Sequence, residues 1–306
     1  MLSSKKLPKN WTYAFLLRSW LGDSLITAVM INNFIRAGYN VTIFSDILYQ
    51  LKNWFVNIKV YPIANKKNEV LKKLETIDQV ILLHEDHLPF VQHQDNLHLK
   101  REPIVLRNFD RYANSRMPLL DIHKTIMQDY FSLAQVVKDN GIKPPPALVS
   151  RKYKQRVIIH VSASIPSKEY LPSRFLKLAK KLNMRGFDCY FIVAPFEYKK
   201  WQWVREKGIK LPKFNSLDEI AGFIYESGYF IGNDSGIGHL ASNLGLPTLS
   251  LFQRRKLAAK WHPSWGLNIR IIAPPILLLT SFKEKYWKYL IPWQQVYYQF
   301  MRLLKV

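Results

Sequence analysis

With 306 residues, 48% of them hydrophobic and 14% aromatic, the chain has apolar material for about two packed domains of ~150 residues each, which excludes disorder, collagen and small disulfide scaffolds. Lys and Arg number 45 against 22 Asp and Glu, 19 against 13 up to position 150 and 26 against 9 beyond it, so the second half carries most of a net charge of +23. An excess of that sign calls for an anionic partner, whether nucleic acid, an anionic membrane surface or a phosphorylated substrate.

Short β-branched and aromatic runs alternate with longer amphipathic ones, so Tyr13 to Leu17 is predicted as a strand, Asp23 to Ala37 as a helix and Val41 to Phe44 as a strand. The alternation continues through strands at Ile58 to Tyr61, Gln79 to Leu83 and Pro103 to Leu106, with helices over Lys66 to Glu75 and Asp121 to Asp139. Asn140 and Gly141 stop that last helix, and Pro144, Pro145 and Pro146 favour an extended linker, which divides the chain into domains 1–150 and 151–306. The second half repeats the pattern with strands at Arg156 to His160, Asp188 to Val193, Tyr229 to Ile231 and Thr248 to Phe252. Helices are expected over Pro172 to Arg185, Glu197 to Lys207, Leu217 to Tyr225 and Ile237 to Leu244, and Lys283 to Val306 reads as two helices separated by Pro292. The expected fold is α/β, two Rossmann-like domains facing each other across a cleft, with ligands at the carboxyl ends of the strands. The most apolar stretch, Ile269 to Leu279, is too short to span a bilayer and is broken by Pro274 and Pro275. A lone cysteine, Cys189, and a first thirty residues without a signal-type apolar run point to a reducing, cytoplasmic compartment.

The most informative segment runs from Gly232 to Leu240: a strand end, a tight Gly-rich turn and the first turn of a helix. Unpaired amides and the positive end of a helix dipole suit a pyrophosphate there, and Ser235 and His239 can add side-chain donors. The plainer alternative is a strand-to-helix turn in which Asp234 or Ser235 caps the helix. Gly236-Ile237-Gly238 lacks the third glycine of a dinucleotide fingerprint, which disfavours hydride transfer. His84-Glu85-Asp86-His87, with His93 and His98, does not have HExxH spacing, and no metal is expected.

Gly232 to Phe252, reading GNDSGIGHLASNLGLPTLSLF, resembles the C-terminal signature of bacterial lipopolysaccharide heptosyltransferases, glycosyltransferase family 9. Leu16 to Asp23 is similar to the family's strand, basic residue (here Arg18) and Gly-Asp turn. Ile159 to Ser164 with Lys168 resembles the family's strand and phosphate loop, followed by a helix start at Tyr170-Leu171-Pro172. Trp261 to Gly266 is similar to its W-x-P-W-G loop. The chain departs from the pattern at Val161-Ser162, where many members have Pro-Gly, and at Gln253-Arg254-Arg255, which replaces a Gly-Pro turn.

The resemblance implies a GT-B enzyme, inverting and metal-independent, whose first domain binds a sugar acceptor and whose second binds a nucleotide sugar. The implied donor is ADP-heptose, the implied acceptor a lipopolysaccharide core or related anionic glycan, and no cofactor is required. Such a transfer needs a base for the acceptor hydroxyl and positive groups for the departing diphosphate. Asp23 reads as a helix N-cap on local sequence alone; the family match makes it the base. Lys168, Ser162, Ser164 and His239, with Ser235 and the backbone around Gly236, would hold the diphosphate. Asp234 would hold the sugar or shape the loop, and Glu197 would contact the nucleotide ribose. Lys66, Lys67, Arg107 and Arg111 are candidates for acceptor binding, each otherwise a solvated surface charge. The Lys199-Lys200-Trp201-Gln202-Trp203 run and Tyr286, Trp287, Tyr289 and Trp293 suit peripheral contact with the inner face of the cytoplasmic membrane. They equally suit packing by a C-terminal helix that returns to the first domain. The alternatives are a UDP- or GDP-sugar donor, a nucleotide-sugar epimerase of the same architecture, an inactive sugar-nucleotide binder, and a nucleic-acid binder. For the epimerase no acid-base carboxylate pair is evident, and for the last no helix-turn-helix, RRM or OB signature appears, so nucleic acid is not an expected partner.

Overall fold

The computed structural model describes residues 7–17, 20–64, 66–82, 97–106, 117–274 and 285–305. The chain divides into two compact units, Met1–Lys143 and Pro144–Val306, at the first proline of the Pro144 to Pro146 run.

The first unit holds β1 (Thr12–Leu16), α1 (Leu21–Arg36), β2 (Asn40–Phe44), α2 (Asp46–Tyr49), β3 (Lys59–Tyr61), α3 (Lys67–Thr76), β4 (Gln79–Leu82), β5 (Ile104–Val105) and α4 (Leu119–Asp129). Its five strands are all parallel, in the order β3-β2-β1-β4-β5, and β4 is buried at every position, as a strand covered on both faces must be. Helix α1 is buried at ten of its sixteen positions, and Phe34 packs edge-on against Tyr13, Phe15 and Phe131.

The helix expected from Asp121 to Asp139 instead covers Leu119–Asp129. Ser132 takes φ +55°, and the buried Asn33 of α1 then pairs with both backbone groups of Val137 at 2.8 Å. Asn140 donates to the Leu25 carbonyl at 3.2 Å. At Val137 the Asn33 amide supplies the hydrogen bonds that a further helical turn would have made, so the segment there can run irregular.

Asp78 ties β1 to β4. Its carboxylate accepts from the Thr12 amide at 2.9 Å and the Thr12 hydroxyl at 2.8 Å, and from Lys100 at 2.9 Å. These donors favour the ionised form and hold its pKa down at about 2, with the Thr12 amide the largest influence. A depressed carboxylate stabilises the fold above its ordinary pKa near 4 and loses that contribution as pH falls through 2. Asp78→Asn is therefore expected to lower the urea midpoint at pH 6 and to converge with the wild type near pH 2; an equal loss at both pH values would contradict this.

The second unit holds β6 (Tyr153–His160), α5 (Pro172–Asn183), β7 (Asp188–Ile192), α6 (Tyr198–Trp201), α7 (Leu217–Tyr225), β8 (Ser227–Asn233), α8 (Gly236–Asn243), β9 (Thr248–Phe252), α9 (Arg255–Trp261), β10 (Asn268–Ile272) and α10 (Trp293–Leu303). Its sheet is again parallel, ordered β10-β9-β8-β6-β7. Strand β10 comes from the apolar stretch beginning at Ile269 and pairs with β9. The register of β6 on β8 shifts between Tyr153 and Val157, and there Gly228 is required because a Cβ would overlap the Lys154 carbonyl. The helix expected over Glu197 to Lys207 is broken into a 3₁₀ turn at Pro195–Glu197, the four-residue α6 and a 3₁₀ run at Gln202–Lys207, closed by Gly208 at φ +78°. The tighter winding leaves Trp201 and Val204, three apart, both buried. At the C-terminus a 3₁₀ turn at Trp287–Tyr289 precedes α10, which starts after Pro292. Helix α10 has Val296, Tyr297, Phe300 and Leu303 in the core of the second unit beside Phe175, Leu178 and Leu182 of α5. No described helix is long and apolar enough to cross a membrane.

Candidate active site

In a doubly wound sheet the crevice lies where strand order reverses. In the second unit β7 continues on one side of β6 and β8 on the other, so the crevice sits at the carboxyl ends of β6 and β8. The loop after β6 and the turn after β8 meet there. Lys168, closing a 3₁₀ turn at Pro166–Lys168, places Nζ 2.8 Å from Asp234 Oδ2. The aspartate side chain is only 11% exposed, and burial raises its pKa more than the Lys168 ammonium lowers it. Ser235 is the N-cap of α8, yet its side chain makes no capping bond, so the helix-capping alternative does not describe it. Helix geometry leaves the amides of Gly236 and Ile237 without intrahelical partners, at the positive end of the dipole.

A chain of polar groups runs behind this turn. Ser162 Oγ donates to Glu197 Oε2 at 2.8 Å and stands 3.4 Å from His160 Nε2, while His160 Nδ1 stands 3.1 Å from Ser235 Oγ. His160 is buried against Phe230, and burial depresses its pKa to about 4, which keeps the ring neutral. With the Ser162 proton on the carboxylate, the tautomer of a neutral His160 that also bonds Ser162 is the one protonated on Nε2, and in that tautomer Nδ1 accepts from Ser235. Ser235, expected to add a side-chain donor for a diphosphate, stands in hydrogen-bond contact with His160. Gly232 lies opposite His160 in the register of β8 and β6, and a Cβ there would meet the Phe230 ring at 2.8 Å and His160 Cβ at 3.2 Å.

His239, in the first turn of α8, is also buried, with its pKa depressed to about 4 by burial first and then by His262 and Lys168. Its ring meets Trp265 edge-on at 6.1 Å, and its Nδ1 has no hydrogen-bond partner among the described residues. Two histidines with depressed pKa values stay neutral in the fold but take protons when unfolded below about pH 6.5, so they withdraw stability as pH falls from there toward 4. Imidazole NMR shifts of both rings are expected to stay flat from pH 5.5 to 8; a midpoint near 6.5 for either would refute the assignment.

The loop from Val161 to Tyr170 is held from several sides. Asn233, fully buried, accepts from the Tyr170 amide at 2.9 Å and donates to the Val161 carbonyl at 3.0 Å. The Ser167 carbonyl accepts from Trp287 Nε1 at 2.7 Å and from the Gln253 side chain. Tyr170 OH donates to the Ile291 carbonyl at 2.6 Å. Sequence reasoning passed over Asn233 and Gln253; a polar residue directly after the run Tyr229 to Gly232 was the available signal for the first. Trp287 is completely buried and Trp201 nearly so, while Trp203, Tyr289, Lys199 and Lys200 are exposed.

The remaining expected residues fall elsewhere. Ser164 is exposed in the loop after β6. Asp23 is half-buried in the first turn of α1, at the carboxyl end of β1, the central strand of the first sheet; Trp20 is the N-cap, so Asp23 is the third helical residue and not the cap. Lys66 is the N-cap residue of α3 and pairs with Glu69 at 2.9 Å, and Lys67 is exposed beside it. Arg18, Arg107 and Arg111, together with His84, Glu85, Asp86, His87 and His93, lie outside the described residues.

The profile of glycosyltransferase family 9 (heptosyltransferase) matches residues 84–273. The lipopolysaccharide heptosyltransferase 1 of Campylobacter coli is 32% identical over 112 residues, covering 33% of this chain and 32% of that protein, so the match spans about a third of the relative's length. Among solved structures, a family 9 glycosyl transferase from Veillonella parvula superposes with a TM-score of 0.73 at 17% identity, covering 99% of each chain. The E. coli heptosyltransferase WaaC with ADP gives 0.68 at 14% identity, covering 95% of this chain and 99% of that one. Likeness at such low identity concerns the fold, which is two parallel-sheet domains in each. With the profile covering well over half of its length, and with the Gly232 to Phe252 signature folded as a strand, turn and helix, the chain belongs to glycosyltransferase family 9, the heptosyltransferase family.

Proposed function

We propose that the protein is an inverting, metal-independent glycosyltransferase that moves heptose from ADP-heptose to a hydroxyl of a lipopolysaccharide core. The observation that carries this reading is the Lys168–Asp234 pair beside the open N-terminus of α8, at the strand ends where a doubly wound sheet takes its ligand. The acceptor hydroxyl gives its proton to the Asp23 carboxylate while its oxygen attacks the anomeric carbon. The bond from that carbon to the diphosphate oxygen breaks, and its electron pair leaves with ADP. Lys168 and the first amides of α8 receive the growing charge, the part a divalent cation takes in other glycosyltransferases. Glu197 Oε2 is occupied by Ser162 and the Ala194 amide, and its carboxylate faces the ribose; Asp234 orients the sugar. Lys66, Lys67, Arg107 and Arg111 meet the anionic acceptor, and the exposed Lys199 and Lys200 with Trp203 keep the enzyme at the cytoplasmic face of the inner membrane, where that acceptor lies.

The test is incubation with ADP-heptose and a heptose-free lipid oligosaccharide in excess chelator, followed by mass spectrometry of the glycan and assay of released ADP. Addition of one heptose with stoichiometric ADP and inverted anomeric configuration is expected. Transfer only from a UDP- or GDP-sugar would replace the donor, and strict dependence on added metal would remove the metal-independent mechanism.

A further inference from the structure

We propose that the second unit carries a separate anion site, at the β10 edge of its sheet, that takes a phosphomonoester group. A cavity of about 370 Å³ opens there, lined by Arg255, Arg270, Arg302, Gln295 and Gln299 with the segment 271–274. Three elements converge on it. Arg255 is the first residue of α9 and belongs to the Gln253-Arg254-Arg255 run. Arg270 and Ile272 stand two apart on β10 and so share one face of the strand. Gln295, Gln299 and Arg302 follow one another at spacings of four and three along α10, a single stripe, while Val296, Phe300 and Leu303 take the core side.

Among the described residues the charge at this cavity is uncompensated. No Asp or Glu is among its lining residues, and none of the ion pairs found among the described residues engages Arg255, Arg270 or Arg302. Arg302 instead donates to Gln299 Oε1 at 3.3 Å. All three arginines are exposed. Three guanidinium groups around one hollow repel each other, and a tetrahedral dianion reverses the sign of that interaction. Each planar fork can give two parallel N–H bonds to phosphoryl oxygens, and the two glutamine amides add neutral donors at the rim. The volume leaves room for the carbon portion that carries the phosphate. Strand β9 separates β10 from β8, so roughly two strand spacings, about 10 Å, lie between this cavity and the Lys168–Asp234 crevice. Neither of those residues lines it.

The experiment titrates the full chain with glycerol 3-phosphate at moderate salt and measures its sedimentation with phosphatidylcholine vesicles with and without phosphatidic acid, whose headgroup is a phosphomonoester. Wild-type protein is expected to bind glycerol 3-phosphate saturably, Arg270→Gln with Arg302→Gln to weaken it at least tenfold, and Lys168→Ala to leave it within twofold. Arg255→Gln with Arg302→Gln is a second pair that should give the same loss if the first pair lowers the melting temperature. Added sedimentation with phosphatidic acid that disappears in the double variants would make the ligand a lipid-borne phosphate; binding of glycerol 3-phosphate without it would make it a soluble ester. Equal binding by wild type and both double variants, parallel loss in Lys168→Ala, or no saturable binding of either probe would overturn the proposal.

Discussion

Asp23→Asn is expected to reduce sugar transfer by roughly 10²- to 10⁴-fold, the span that a positioned general base contributes, while leaving the Kd for ADP within twofold. Asparagine keeps the size and the polar edge of the side chain but cannot take the acceptor proton. Asp23 sits in the first turn of α1, where Trp20 rather than Asp23 is the N-cap. Losing a carboxylate near a helix N-terminus costs about 0.3–1 kcal/mol, which lowers the melting temperature slightly and does not by itself remove activity. The two contributions separate by experiment, with melting temperature and ADP calorimetry reporting the helix and kcat at saturating donor reporting the base. Full turnover in Asp23→Asn would place the base elsewhere.

Lys168→Ala is expected to act on the other side of the reaction, weakening ADP binding itself by about 10- to 150-fold. That range corresponds to the ~1.5–3 kcal/mol of a hydrogen bond to a charged group, with each 1.4 kcal/mol worth a factor of ten. The ammonium pairs at 2.8 Å with a carboxylate that is only 11% exposed, so its removal also strands Asp234 in a setting that already raises that carboxyl's pKa. Asp234→Asn is the informative control. If Lys168 matters mainly as partner to Asp234, the asparagine variant should restore part of the affinity lost in Lys168→Ala when the two are combined. If Lys168 acts on the diphosphate directly, the double variant should bind ADP no better than Lys168→Ala alone. Calorimetry with ADP distinguishes these cases, and an unchanged Kd in Lys168→Ala would remove the residue from the diphosphate site.

Local periodicity was enough to locate most of the described strands and the long helices, because a strand buried on both faces is a short apolar run and an outer helix repeats its apolar face every three or four residues. Helix α5, with Phe175, Leu178, Ala179 and Leu182 buried, is such a case. The expectation failed where long-range partners intervene. The helix beginning near Leu119 stops at Asp129 because Asn33, about a hundred residues earlier in the chain, satisfies the backbone of Val137. Strand β10 was legible only as an apolar stretch, since what makes it a strand is the free edge of β9.

The same division holds for the site. Gly232-Asn233-Asp234-Ser235-Gly236 announces a strand-to-helix turn because glycine and short polar residues at those positions are local chemistry. That Lys168, 66 residues earlier, closes on Asp234, that His160 stands between Ser162 and Ser235, and that Trp287 and Gln253 grip the Ser167 carbonyl are facts of tertiary packing. The three arginines at the β10 edge follow the same rule: spacing puts Arg302 on one stripe with two glutamines, but only the sheet order brings Arg255 and Arg270 to the same hollow. Sequence by itself thus determined the α/β alternation, the excess of positive charge and the Gly-rich strand-to-helix turn, all of which can be read without knowing which distant segments meet. The proton arrangement, the clamped loop and the second cluster of positive charge were decided by the tertiary structure, because each depends on groups that only folding brings within hydrogen-bond or Coulomb range.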